Sequence, residues 1–171
     1  IFVVPLLLGL PFPLAPIQII ATELLMDLAS STIFVTEEAE PNVMRRPPRR
    51  RGRFLSRNVA LRILRVMAAP TIAILAVYLG SLALGYGVER ARTAAWATWL
   101  LGHILLALNL KQRHVPLLRQ GLLSNRFGAG WLAGMTALVL AMTLIPGVGA
   151  VLSTTPLVGV QWPMVIAAAM L

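Results

Sequence analysis

Two carboxylates lie in a stretch of sequence that is otherwise strongly apolar. Glu23 and Asp27 fall within ATELLMDLASS, with Met26 beside Asp27, inside an apolar run over 17–35. Such a run is close to the roughly 20 residues that cross a bilayer as a helix. Residues four apart lie on nearly the same helix face. A charged carboxylate in lipid costs at least about 2.5 kcal/mol, so we expect both to face a protein interior or a wet cavity.

Two kinds of chemistry fit this pair. Carboxylate oxygens suit hard cations such as Ca²⁺, and two carboxylates can also share or exchange protons. The structural alternative is a protonated pair that hydrogen-bonds to neighbouring helices. His103 is the other ionisable group deep in a predicted span, where it could be a ligand, a proton relay or a packing residue. The hydroxyl of Thr22 could supply an oxygen or pair with the helix backbone.

The composition predicts an integral membrane protein. Of 171 residues, 58% are hydrophobic and 12% are charged, whereas about 25% are charged in soluble domains. Residues 127–171 contain no Lys, Arg, Asp or Glu. We therefore predict an all-α, polytopic helix bundle. No glycine-rich phosphate loop or catalytic triad occurs, so no catalytic residue and no bound cofactor is predicted.

The apolar segments predict one transmembrane bundle over 1–171 with about six spans, the first and last partial. The predicted spans cover 1–10, 17–35, 59–88, 94–110, 127–145 and 157–171. Basic loops are predicted at 36–58 and 111–126, and the polar stretch ERARTA and the PGVGAV stretch are predicted as links. Trp96, Trp99, Trp131 and Trp162 are expected near span ends. Both chain ends stop within apolar sequence, which favours a truncated chain.

The basic residues predict the orientation. Nine of the 15 Lys and Arg residues lie in or just after the first basic loop, and four lie in or beside the second. Excess Lys and Arg mark cytoplasmic loops, so both loops should be cytoplasmic. The net charge of +9 is therefore a topology signal, and nucleic-acid binding is not expected. We expect a multi-pass protein whose partner is the lipid bilayer, in a plasma membrane of the bacterial type.

The stretch from PFPLAPIQ to RRRGRFLS resembles the C-terminal transport module of P-type cation-transporting ATPases. The most specific part is AEPNVMRRPPR followed by Leu-Ser, which is similar to a family pattern of Pro, an Ile- or Val-Met, and Arg-Pro-Pro-Arg. The PIQ before the helix and the Asp within it match as well. More weakly, ALN in HILLALNL and QWPMVI are similar to later spans of these pumps.

The resemblance implies roles for four residues. Asp27 falls on the central cation-binding Asp of the family, and Glu23 replaces the Asn of calcium pumps. Met26 replaces a Thr that offers oxygen, and His103 stands where calcium pumps have a Glu. The implied cation ligands are therefore Glu23 and Asp27, with Met26 and His103 as further members. Because a standard pair of calcium sites is not preserved, the transported ion could be Ca²⁺, a monovalent cation or a proton.

The resemblance also implies further domains of a parent pump. The phosphorylated Asp and the nucleotide pocket of the family precede this region, so ATP and Mg²⁺ would bind in those domains. The implied function is a membrane-domain fragment of an ATP-driven cation pump, and ATPase activity would belong to the parent. Two alternatives are a non-enzymatic scaffold or regulatory bundle and a secondary proton or cation carrier. An in-frame Asp-Lys-Thr-Gly stretch upstream would favour the pump.

Overall fold

The computed structural model describes residues 1–28, 35, 44, 57–111 and 126–171, with the backbone alone at 26–28 and 108–111. Seven α-helices occur in this part of the chain, and a π-helical segment, Glu23–Leu28, directly continues the second. The helices are α1 Val3–Leu7, α2 Pro16–Thr22, α3 Arg57–Ala83, α4 Val88–Lys111, α5 Arg126–Leu144, α6 Pro146–Leu152 and α7 Gln161–Ala169. The predicted all-α class is confirmed for the described residues.

Two of the described helices, α3 and α5, are long and apolar enough to cross a membrane. A shorter apolar helix covers Pro16–Leu25. Six spans are therefore not confirmed, although a bundle of apolar helices is. The basic loops predicted at 36–58 and 111–126 lie almost entirely outside the described residues, so their placement stays a prediction.

Two predicted links are helical in the structure. Helix α4 begins at Val88 rather than near residue 94, so the ERARTA stretch forms its first turns. The short helix α6 occupies most of the predicted PGVGAV turn, with Pro146 at its first position. Proline suits that position because its missing N–H would have no helical partner there.

Helix α4 forms the centre of the bundle and packs against α3, α5 and α7. Trp96 and Leu100 of this helix are fully buried in the main hydrophobic cluster. Apart from Ile104, its other buried apolar positions are small: Ala91, Ala94, Ala95 and Ala97. Small side chains allow helices to approach closely in a membrane, where packing replaces the hydrophobic effect as the main attraction.

Helix α2 has a well-defined start. Pro16 occupies its first position, as the sequence predicts. The backbone N–H of Ala15 donates to Gln18 Oε1 at 2.9 Å. This is the reach-back contact that a Glu or Gln makes at the third helical position. The first turn of α2 is therefore capped by a contact within its own residues.

Candidate cation site

The helix that carries Glu23 and Asp27 changes geometry where these two carboxylates occur. It is α-helical over Pro16–Thr22 and π-helical over Glu23–Leu28. A π-helix pairs residues five apart, so one turn holds more residues than in an α-helix. Glu23 is the first residue of this segment, which also includes Met26 and Asp27. Short π-helical segments occur frequently at functional sites, whereas the sequence predicts one uninterrupted helix over 17–35.

The side chains around Glu23 differ in burial. Thr22 is buried and Leu25 is half-buried against the core, whereas Glu23 and Leu24 are exposed in the described bundle. The backbone places Asp27 about one turn beyond Glu23, on the same segment. The side chains of Met26 and Asp27 lie outside the described residues, so their part in the site remains a prediction.

Thr22, just before the π-helical segment, is held by a tryptophan from α4. Its hydroxyl donates to the Gln18 carbonyl oxygen at 2.7 Å and accepts from Trp96 Nε1 at 2.8 Å. Both side chains are buried. These contacts use the hydroxyl proton and one of its two lone pairs, and they join α2 to α4. The Trp96 indole is fully buried between α2 and α4, and its expected position near a span end stays a prediction.

A second tryptophan contacts the π-helical segment itself. Trp131 of α5 donates from Nε1 to the Leu25 carbonyl oxygen at 3.2 Å. Backbone carbonyls in a membrane helix normally have a partner within the helix, because lipid offers none. A side-chain donor from another helix therefore supports the backbone where the hydrogen-bond pattern departs from the α-helix.

Gln18 links the start of α2 to the end of α6. This side chain is fully buried. Its Nε2 donates to the carbonyl oxygens of Ser153 at 3.0 Å and Leu152 at 3.4 Å, at the end of α6. Ser153 adopts a left-handed conformation with φ of 52°, which is uncommon for a residue other than glycine. The turn after α6 is thus shaped so that two carbonyl groups reach Gln18.

The turn before α2 is held by the α3–α4 hairpin. Tyr78 of α3 donates from its hydroxyl to the Pro11 carbonyl oxygen at 2.6 Å. Arg92 of α4 donates from Nε to the Phe12 carbonyl oxygen at 2.8 Å. We call residues 11–25 the clamped segment, because side chains or carbonyls from α3, α4, α5 and the end of α6 hydrogen-bond to it as far as the π-helical turn.

His103 makes its hydrogen bonds within α4. Its Nε2 lies 3.3 Å from the Trp99 indole Nε1, and its Nδ1 lies 2.9 Å from the Trp99 carbonyl oxygen. Because the indole can only donate and the carbonyl can only accept, these contacts fit the tautomer with its proton on Nδ1. Trp99 thus occupies both ring nitrogens, an arrangement suited to a packing residue.

The contacts between the clamped segment and α4 also show how far along the bundle axis His103 lies. Phe12 meets Arg92 and Thr22 meets Trp96, so α2 and α4 run in the same direction. His103 lies seven residues beyond Trp96, or roughly 10 Å along the helix. The described contacts do not join it to Glu23. Nor do the described side chains, which exclude that of Asp27, contain a group of three or more potential metal ligands.

Sequence reasoning missed the residues that position the segment. Gln18 carried one usable signal, because a Gln three residues after a helix N-cap is typical of a reach-back cap. Trp96 and Trp131 carried none, since an interfacial tryptophan and a buried hydrogen-bond donor look the same in an apolar sequence.

The comparison with protein families gives one match. A family model described as "Cation transporting ATPase, C-terminus" matches residues 11–171. The match therefore includes the clamped segment, the π-helical turn and all helices from α2 to α7. No curated protein matches the chain.

Proposed function

The chain belongs to the family of cation-transporting ATPase C-termini, and on that premise we propose that Glu23 and Asp27 bind the transported cation. The observation that carries the proposal is the π-helical segment Glu23–Leu28. It coincides with the two intramembrane carboxylates and with no other acidic residue of the chain. A helix that departs from α geometry at its two charged positions is better suited to ligand binding than to packing.

The clamped segment gives these carboxylates a fixed support. A metal site needs ligands whose positions are fixed by the surrounding packing and hydrogen bonds. Here Trp96 bonds to the Thr22 hydroxyl and Trp131 to the Leu25 carbonyl oxygen, so the chain is held on either side of Glu23. The Glu23 side chain is exposed. Among the described residues no buried group bonds to its carboxylate, so a cation could bind there without breaking an existing contact.

Two carboxylates do not complete a site for a hard cation. Ca²⁺ takes six to eight oxygen ligands, and two carboxylates supply at most four. The remaining oxygens would come from water, backbone carbonyls or other parts of the parent pump. A cation bound there would offset the cost of two charged groups in the membrane, which is at least about 2.5 kcal/mol each. When the cation leaves, protonation of one carboxylate would lower the cost of charge in the membrane in the same way.

His103 fits a supporting role in this proposal. A cation could reach its Nε2 only by displacing the Trp99 indole, and the Nδ1 proton faces the Trp99 carbonyl. We propose that His103 positions Trp99 and is not a direct ligand. Transport would then follow from alternating exposure of the carboxylates as other domains change state.

Ion-dependent phosphorylation of the pump that contains this chain tests the proposal. A panel of Ca²⁺, Na⁺, K⁺ and protons would identify the cation that stimulates or inhibits phosphoenzyme formation. Asp27→Asn should abolish that dependence, and Glu23→Gln should weaken it. Circular dichroism tests whether the variants keep their helix content.

Glu89→Gln is the matched control, because Glu89 is an exposed carboxylate in the first turn of α4. It should keep the response of the unmodified pump. If Asp27→Asn keeps the same ion dependence as Glu89→Gln, the site assignment is wrong. An assembly that never forms a phosphoenzyme would instead favour the non-enzymatic bundle.

A further inference from the structure

Trp131 of α5 contacts the backbone of the π-helical segment between its two carboxylates. Its indole Nε1 donates to the Leu25 carbonyl oxygen at 3.2 Å, and both side chains are half-buried. Leu25 lies between Glu23 and Asp27 in the sequence, two residues from each. The contact therefore acts on the part of the backbone that sets how these two residues are placed relative to each other.

A π-helical segment leaves one of its carbonyls short of a backbone donor. In α geometry each carbonyl pairs with the N–H four residues later, and in π geometry with the N–H five residues later. Where a helix returns from the second pattern to the first, two successive carbonyls face the same N–H. One of them then requires another partner, and lipid offers none. Trp131 supplies a donor of this kind at Leu25.

The alternative form of the segment without this donor is an α-helix. Every carbonyl would then have its own N–H four residues later, and no donor from another helix would be required. The change moves each hydrogen bond by one residue, so Asp27 would take a different angle around the helix axis relative to Glu23. A site that uses both carboxylates would be altered by this change.

The indole is held in place by the packing of its own helix. Helix α5 is long and apolar enough to cross a membrane, and it packs against α4. Trp131 packs against the main hydrophobic cluster, in which Met135 and Val139, one and two turns further along α5, are buried. The donor therefore approaches Leu25 from a helix whose position does not depend on the carboxylates.

We propose that Trp131 is a positioning residue for the cation site: its N–H stabilises the π-helical form of Glu23–Leu28, and the cation binds to that form. This inference rests on the proposed function of Glu23 and Asp27 and adds to it an uncharged residue from another helix. Coupling between two equilibria is reciprocal. Cation binding should therefore strengthen the hydrogen bond between Trp131 and Leu25.

Two substitutions of Trp131 separate the hydrogen bond from the packing of the ring. Trp131→Phe keeps a six-membered ring and removes the donor. Trp131→His keeps a five-membered ring whose Nε2 corresponds to the indole Nε1, and in mildly alkaline buffer the neutral ring can donate from that nitrogen. The ion concentration for half-maximal phosphoenzyme response should rise about fivefold in Trp131→Phe, as expected for one lost hydrogen bond. It should rise less than about twofold in Trp131→His.

Stability should follow the opposite order. Trp131→His loses more buried apolar surface than Trp131→Phe, so it should unfold at a lower fraction of sodium dodecyl sulfate in mixed micelles. If Trp131→His also binds the cation more weakly than Trp131→Phe does, the residue acts through packing and the proposal is overturned. Circular dichroism confirms that each variant keeps its helix content.

Trp162→Phe is the matched control. Trp162 is a half-buried tryptophan of α7 that packs against the same hydrophobic cluster. It should keep the ion response of the unmodified pump. Equal rises in Trp162→Phe and Trp131→Phe would overturn the proposal, because the loss of any half-buried indole would then have the same effect.

The indole N–H of Trp131 also gives a direct signal. Ultraviolet resonance Raman spectra contain an indole band that responds to hydrogen bonding at Nε1, and subtraction of the Trp131→Phe spectrum isolates Trp131. The cation identified by the ion panel should shift this band toward a stronger hydrogen bond, and Asp27→Asn should abolish the shift. A band in the unmodified pump that does not respond to the cation would overturn the coupling.

The failure of this inference can be distinguished from the failure of the cation site. If Asp27→Asn keeps the ion dependence, the proposed function fails, and the role of Trp131 fails with it. If Asp27→Asn loses the ion dependence while Trp131→Phe responds like the unmodified pump, the role of Trp131 alone is wrong.

Discussion

Two apolar stretches of this chain are stabilised in different ways. The clamped segment, 11–25, is held by hydrogen bonds from Tyr78, Arg92, Trp96 and Trp131. The first turns of α3, 57–67, instead expose large apolar side chains to the surroundings of the bundle. Hydrogen bonds from neighbouring helices fix the geometry of the clamped segment, whereas lipid-exposed apolar side chains need no such fixed geometry. We therefore expect substitutions near Glu23 and Asp27 to disturb the structure more than substitutions in the first turns of α3.

The largest expected effect is the removal of Trp96. Trp96→Ala should lower the free energy of unfolding by about 4 kcal/mol, because it empties a fully buried site and leaves Thr22 without its donor. Leu64→Ala, in the exposed part of α3, should change it by less than about 0.5 kcal/mol. Unfolding in mixed micelles with increasing sodium dodecyl sulfate measures both. Similar values for the two variants would remove the distinction between the regions.

Removing the hydrogen bonds of Gln18 should have an intermediate effect. Gln18→Met keeps a similar volume but leaves the Ala15 N–H and the carbonyls of Leu152 and Ser153 without their partner. We expect a loss of about 2 kcal/mol in the same unfolding measurement, typical of buried polar groups left unpaired. A loss below the Leu64→Ala value would show that the link between α2 and α6 carries no stability.

The smallest expected effect concerns cation affinity in a His103 variant. Because Trp99 occupies both imidazole nitrogens, His103→Gln should change the affinity by less than about twofold, which is under 0.5 kcal/mol. The measurement is the ion concentration that gives half-maximal phosphoenzyme response. A tenfold or larger loss would identify His103 as a ligand and would require Trp99 to move when the cation binds.

The sequence predicted much of the helical layout, because proline positions and apolar run lengths carry local information. Pro16 marks the start of α2, and α5 spans Arg126–Leu144 where 127–145 is predicted. The start of α4 was wrong because Glu89, Arg90 and Arg92 read as a loop. In the structure Arg92 is accommodated by its bond to the Phe12 carbonyl, a contact between residues 80 positions apart.

The candidate site could be predicted by residue type but not by geometry. Carboxylates in an apolar run are visible in any membrane sequence, so Glu23 and Asp27 could be found. The π-helical turn could not, because the donor that contacts its backbone, Trp131, comes from another helix. The roles of Met26 and Asp27 remain predictions, because their side chains lie outside the described residues.

Equilibrium binding of the transported cation tests the central claim most directly. Radiolabelled Ca²⁺ or Rb⁺, chosen by the ion panel, would be titrated onto the purified pump with Asp27→Asn and with the control Glu89→Gln. We predict that Asp27→Asn weakens binding by at least about tenfold, or 1.4 kcal/mol, while Glu89→Gln binds like the unmodified protein. Unchanged affinity in Asp27→Asn would contradict the assignment of the cation site to the π-helical segment.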